Sequence, residues 1–139
     1  FRRSGRSETM RRMTLGAGLL LAGCAPSMAR VAAGREFDLT PGMEVELAGA
    51  GARLTLLDVP NDSRCPADVL CVSAGNALVR LRIQGGGIDT ILALNTMMAP
   101  RSAAAGAAVV ELLGLDPVPR STVRIAPADY RARIRWSTP

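Results

Sequence analysis

The sequence predicts an all-β fold, an antiparallel β-sandwich or barrel-like single domain, and three observations carry that prediction. Apolar and polar residues alternate with a period of two along several short runs, the pattern of a half-buried strand. Gly and Pro are frequent, 14 and 9 of 139 residues, and they fall between those runs where turns belong. The alternation leaves one wet face on each strand, which argues for antiparallel sheets rather than a parallel sheet buried on both sides.

The strands are expected in this order, within a β domain spanning 35–137. Phe37 and Leu39 alternate with Glu36 and Asp38, and Pro41-Gly42 then marks a turn. Met43, Val45 and Leu47 alternate with Glu44 and Glu46 before a Gly/Ala turn over 48–52. Leu54 to Val59 is more continuously apolar and reads as a central strand. Ala77, Val79, Leu81 and Ile83 alternate with Leu78, Arg80, Arg82 and Gln84. Gly85-Gly86-Gly87 makes a hairpin-like turn, and Ile88 to Leu94 returns. Ala107 to Leu115 is apolar and ends at Asp116-Pro117-Val118-Pro119; the overlapping run Ala103 to Val110 is Ala-rich enough to form a helical turn instead. Thr122 to Ile125 is a short strand candidate. Tyr130, Ala132, Ile134 and Trp136 close the pattern against Arg131, Arg133 and Arg135, a solvated arginine face. No internal repeat is visible.

Ahead of the domain, Arg11-Arg12 forms a positive start, Met13 to Ala22 a short apolar run, and Ala22-Gly23 a small-residue site before Cys24. That is the layout of a secretory signal. The run is well short of the roughly 20 apolar residues that a spanning helix needs. Leu21-Ala22-Gly23-Cys24 resembles a bacterial lipobox. The resemblance implies a signal peptide over 1–23, cleavage before Cys24, diacylglyceryl transfer to its sulfur and acylation of the new amine with a chain such as palmitate. More than one acyl chain meets the requirement for stable anchoring. Residues 24–34 then form a lipidated tether. Ala25 is not Asp, and the lipoprotein sorting rule for two-membrane bacteria then implies the outer membrane, facing the periplasm. The polar stretch 1–9 ahead of Met10 reads as an over-extended start. A twin-arginine signal is a weaker reading of the Arg pair.

Charge follows the same division. The chain carries a formal net charge of +5, with 17 basic residues, all Arg, against 12 acidic ones. Five of those Arg lie before Cys24, so residues 24–139 hold 12 Arg against 11 acids, a net of +1. No basic patch with aromatic neighbours remains, which argues against nucleic-acid binding. The chain contains neither His nor Lys. That removes the commonest general base and the Ser-Lys pairing, so Ser63 has no partner to activate it. Glu44 and Glu46 lie two apart on one wet face, a solvated edge rather than a glycosidase pair. The expectation is a protein that is not an enzyme and carries no metal or cofactor. Adjacent Met side chains on an extended strand point opposite ways, so Met97-Met98 make a poor copper site, and a loop or core role is expected for them.

With Cys24 assigned to lipid, Cys65 and Cys71 remain, and export places them where disulfides persist. A disulfide is the expectation; a redox pair and a metal pair are the alternatives. Redox pairs more often have two intervening residues than five, and a zinc site needs further Cys or His. Around this pair, Asp62 or Ser63 is suited to accept turn N–H groups. Arg64 has five donors for loop carbonyls or for the carboxylates of Asp62 and Asp68. Gly75-Asn76 suits a positive φ just before a strand. Asn61, Asp62 and Asp68 offer oxygen ligands for Ca²⁺ without a recognisable loop spacing. Asp62, Ser63, Arg64, Asp68 and Asn76 are therefore the candidate loop or binding residues.

The stretch Asp62-Ser63-Arg64-Cys65-Pro66, then Cys71 and Ala74-Gly75-Asn76-Ala77, resembles a group of small bacterial lipoproteins and secreted proteins. Leu115 to Pro119 and Pro127 to Tyr130 fit the same pattern, which covers most of 37–136. The resemblance implies an all-β domain and a Cys65–Cys71 bridge, and it brings no established activity. One departure is Ser73, where the group often has Trp. The functional expectation is an envelope-anchored module, bound to the membrane through lipid, that engages an envelope protein or ligand through its loops. The alternative is a structural lipoprotein with no ligand.

Overall fold

The computed structural model describes residues 23–139. The signal-peptide reading, including Leu21 and Ala22 of the lipobox, falls almost wholly outside the described residues. Those residues fold as a two-sheet β domain. Its strands are β1 (Ala29–Val31), β2 (Glu36–Leu39), β3 (Glu44–Leu47), β4 (Ala52–Asp62), β5 (Ala77–Gly85), β6 (Ile88–Asn95), β7 (Ser102–Ala105), β8 (Ala108–Asp116) and β9 (Arg131–Ser137). One sheet has the order β1-β3-β4-β5-β6 and the other β2-β9-β8-β7. Every pairing is antiparallel except β1 with β3, which is parallel. The long apolar strand β4 is central in its sheet, as its composition predicts.

The inward residues of both sheets make one core. Leu54, Leu56, Val79, Leu81, Ile83 and Leu94 from one side meet Val110, Leu112, Ile134 and Trp136 from the other, all essentially without solvent contact. Three register shifts explain where the period of two fails. In β4 the register shifts between Leu56 and Asp58 and again before Asn61. In β8 it shifts between Leu112 and Gly114, so Leu112 and Leu115 are both buried although three apart.

Four expectations need correcting. Residues 24–34 are not wholly a tether, because Ala29–Val31 adds a parallel strand to β3. Ala103 to Val110 is not helical; Ala103 to Ala105 pair with Ala108 to Val110 as a hairpin. Gly106 turns it at φ 58°, a conformation that overrides the helix propensity of its Ala neighbours. Thr122 to Ile125 is no strand and contributes only an isolated bridge between Arg120 and Val123. Met43 lies just before β3 and is exposed rather than in the core.

The antiparallel connections bring three loops to one end of the sandwich: β4–β5 (63–76), β6–β7 (96–101) and β8–β9 (117–130).

Candidate functional site: the loop end

The loop end is built on an ion pair between neighbours in sequence. Asp62 is the last residue of β4 and Arg64 lies two residues on. Arg64 donates from Nε to Asp62 Oδ1 at 2.8 Å and from Nη2 to Oδ2 at 2.7 Å, a bidentate fork. Its backbone N–H also donates to Oδ1 at 3.2 Å. The rest of the guanidinium reaches across the sandwich, with Nη1 donating to the Leu115 carbonyl (2.6 Å) and Nη2 to the Pro117 carbonyl (3.0 Å). Tyr130 Oη donates to Asp62 Oδ2 at 3.0 Å. The two charged side chains are only 11% and 12% exposed. Burial alone would raise the Asp62 carboxyl, but the hydrogen bonds and charge of Arg64, with Tyr130, hold it below the usual carboxylate range. Burial first, and then the bond to Asp62, push the Tyr130 phenol up.

Ser63 and Asn76 close the neck of the β4–β5 loop. The Ser63 backbone N–H and Oγ both donate to the Asn76 carbonyl, at 2.7 and 2.9 Å, and the Asn76 N–H donates back to Ser63 Oγ at 3.2 Å. Gly75 makes this closure possible. Its φ is +67°, and a Cβ there would sit 1.8 Å from the Ser63 carbonyl oxygen. The Asn76 side chain ties in the next loop, donating from Nδ2 to Asn95 Oδ1 (2.8 Å) and accepting the Met97 N–H at Oδ1 (3.0 Å).

The sulfurs of Cys65 and Cys71 lie at disulfide distance, 2.11 Å. The segment they enclose is pinned from outside as well. Ala67 N–H donates to the Pro119 carbonyl at 2.9 Å, and Asp68 accepts from Ser121 N–H (2.9 Å) and Oγ (2.6 Å). Those Ser121 bonds lower the Asp68 carboxyl below its usual range. Arg64 thus meets Asp62 and two carbonyls, while Asp68 goes to Ser121. The oxygen donors considered for Ca²⁺ are not gathered, and the described residues contain no group of three or more His, Cys, Asp or Glu that could hold a metal.

Asp62, Ser63, Arg64, Asp68 and Asn76 are therefore all engaged inside the protein. What the loops present outward is apolar. Ten large apolar side chains stand exposed among the described residues, and seven of them are here: Val69, Leu70 and Val72, Met97 and Met98, Val118 and Val123. Leu70 and Val72 are exposed at 104% and 110%, more open than in an extended reference chain. Single exposed apolar residues need no explanation, but a concentration on one end of a small domain does. Period-two patterning says nothing about loops, so the apolar cluster was missed from the sequence. The uncharged apex Val69-Leu70-Cys71-Val72 was the available signal.

These features define a small all-β, two-sheet domain with a disulfide-held loop cluster at one end. No known protein family, curated protein or solved structure matches the chain. The likeness to the small lipoprotein group rests on the motif residues alone.

Proposed function

We propose that the chain is a lipid-anchored envelope protein whose mature form begins at Cys24. In this reading the β domain works at the outer membrane, facing the periplasm, as a binding module that acts through its loop end. The observation that carries the anchoring is the position of Cys24. It is exposed and free, and it lies five residues ahead of the first strand, where a lipid interferes with nothing in the core. The lipobox-like run from Leu21 supplies the chemistry. The apolar apexes support binding at the loops, since recognition commonly uses loops held by a rigid β scaffold. No catalytic step is part of this reading.

The runner-up is a structural lipoprotein without a ligand, favoured by the internal engagement of Asp62, Ser63, Arg64, Asp68 and Asn76. Replacing Cys24 with Ser tests the anchoring. The variant is expected to leave the membrane fraction, and the wild-type N-terminal peptide to carry diacylglyceryl mass; retention of the variant on membranes overturns the reading. Pull-down from detergent-solubilised envelopes separates the two roles. A stoichiometric partner lost on replacing Leu70 and Val72 with Ser, with the fold intact, favours binding.

A further inference from the structure

We infer that the loop end is a membrane-contact surface, in which the apolar apexes of the three loops enter an anionic lipid interface and arginines at their bases meet lipid phosphates. This deepens the reading of the loop end as a binding surface, and it does not depend on lipidation at Cys24.

Most of the arginines are already neutralised within the protein. Of the twelve Arg in the described residues, eight pair with a carboxylate: Arg30, Arg53, Arg64, Arg80, Arg82, Arg131, Arg133 and Arg135. The outer faces of both sheets are self-neutralised in this way. Arg35, Arg101, Arg120 and Arg124 have no such partner among the described residues, and three of these four lie at the loop end. Against them stand Asp68 and Asp129, so the surplus there is small and positive.

The loops are also layered. Val69 to Ser73 carries no charge, and the loop containing it begins at the buried Asp62–Arg64 pair. Thr96 to Pro100 carries none, and Arg101 follows immediately before β7. Pro117 to Pro119 carries none, and Arg120 follows. Two of the loops thus set an apolar apex beside an arginine without a carboxylate partner, Arg101 and Arg120, while at the third the cation, Arg64, is buried against Asp62. A bilayer surface has the complementary order, headgroup phosphate outside and acyl chain beneath.

Shape points the same way. Leu70 and Val72 protrude fully, and Met97 and Val118 rim a shallow depression of about 350 Å³ shared with Arg101. Convex aliphatic tips suit a fluid layer that closes around them. A folded partner would need matching cavities. The loops are also joined to one another, through Ala67–Pro119, Asp68–Ser121 and Asn76–Met97, so the apexes stand on one connected base.

Hydrogen exchange on the full chain tests this, with vesicles of phosphatidylcholine alone and with added phosphatidylglycerol. Anionic vesicles are expected to slow exchange in 69–73 and 96–101 by about threefold or more, with added salt weakening the effect. Leu70→Ser with Val72→Ser should abolish that slowing while leaving thermal unfolding unchanged. Arg101→Gln, Arg120→Gln and Arg124→Gln together should reduce vesicle affinity by about a hundredfold. Loops whose exchange ignores anionic vesicles overturn the proposal, as does equal slowing in both sets of variants. Slowing that needs only higher protein concentration, or a co-purified envelope protein in place of lipid, assigns the surface to another occupant and also overturns it. None of these outcomes bears on anchoring, which the Cys24→Ser fractionation reads separately.

Discussion

Asp62 accepts hydrogen bonds from the backbone and side chain of Arg64 and from Tyr130, in a pair almost removed from solvent. Removing one member of a buried pair leaves the other charge uncompensated, and Arg64 also serves two carbonyls of the opposite sheet. Arg64→Leu is therefore expected to cost about 3 kcal/mol in urea unfolding. Arg82→Ala, which breaks the exposed pair with Asp89, should cost about 1 kcal/mol or less. Similar losses in the two variants would show that the buried pair is not special. The same carboxylate gives a pH dependence. Its folded pKa lies below the unfolded one, so its contribution is complete above the ordinary carboxylate range, about pH 4, and is lost as pH falls through the lowered folded value. Asp62→Asn should flatten part of the acid limb of stability against pH. The exposed Asp58 and Asp89 are also lowered, by their hydrogen bonds to Arg80 and Arg82, so part of the slope remains.

At the scale of elements, the β4–β5 loop depends on backbone geometry more than on its disulfide. Gly75→Ala forces a Cβ onto the Ser63 carbonyl, and no side-chain movement relieves a clash between backbone atoms. Gly87→Ala meets nothing within 4 Å and carries only the strain of φ +84°. The first is expected to cost about 3 kcal/mol or more and the second about 1 kcal/mol. Cys65→Ser with Cys71→Ser should cost about 2 kcal/mol, because a loop this small restrains the unfolded chain little. Circular dichroism should show the sheets retained, since Ala67, Asp68 and the Ser63–Asn76 closure hold the segment independently. Much of this scale was legible in sequence. Alternation located β5 and β9, and Gly75-Asn76 signalled the positive φ. Alternation fails at the bulges of β4 and β8, where one extra residue flips the phase. It also says nothing of which carbonyls Arg64 reaches, because Leu115 and Pro117 lie about fifty residues away in sequence and adjacent only after folding.

At the scale of the molecule, β1 does more than its three residues suggest. It pairs with β3 in one sheet, while the Val31 carbonyl accepts Trp136 Nε1 (3.0 Å) from the other and Gly34 N–H donates to the Trp136 carbonyl (2.8 Å). The N-terminal segment therefore clasps the two sheets together at the edge, and the stretch between Cys24 and the first strand is shortened to 24–28. Five extended residues reach about 17 Å. The loop end lies eight residues up β4 from the level of Ala29, about 26 Å away. The segment ahead of β1 therefore runs toward the loop end but, even fully extended, stops short of it. The clasp itself is testable. Trp136→Phe keeps the ring in the core but removes the donor to Val31, and should cost about 1–2 kcal/mol. Its signature should be local as well as global: faster hydrogen exchange and earlier proteolysis in 29–35, with β4 and β5 protected as before. A loss of stability spread evenly over both sheets would mean that Trp136 matters for packing alone, and that β1 is not what joins them.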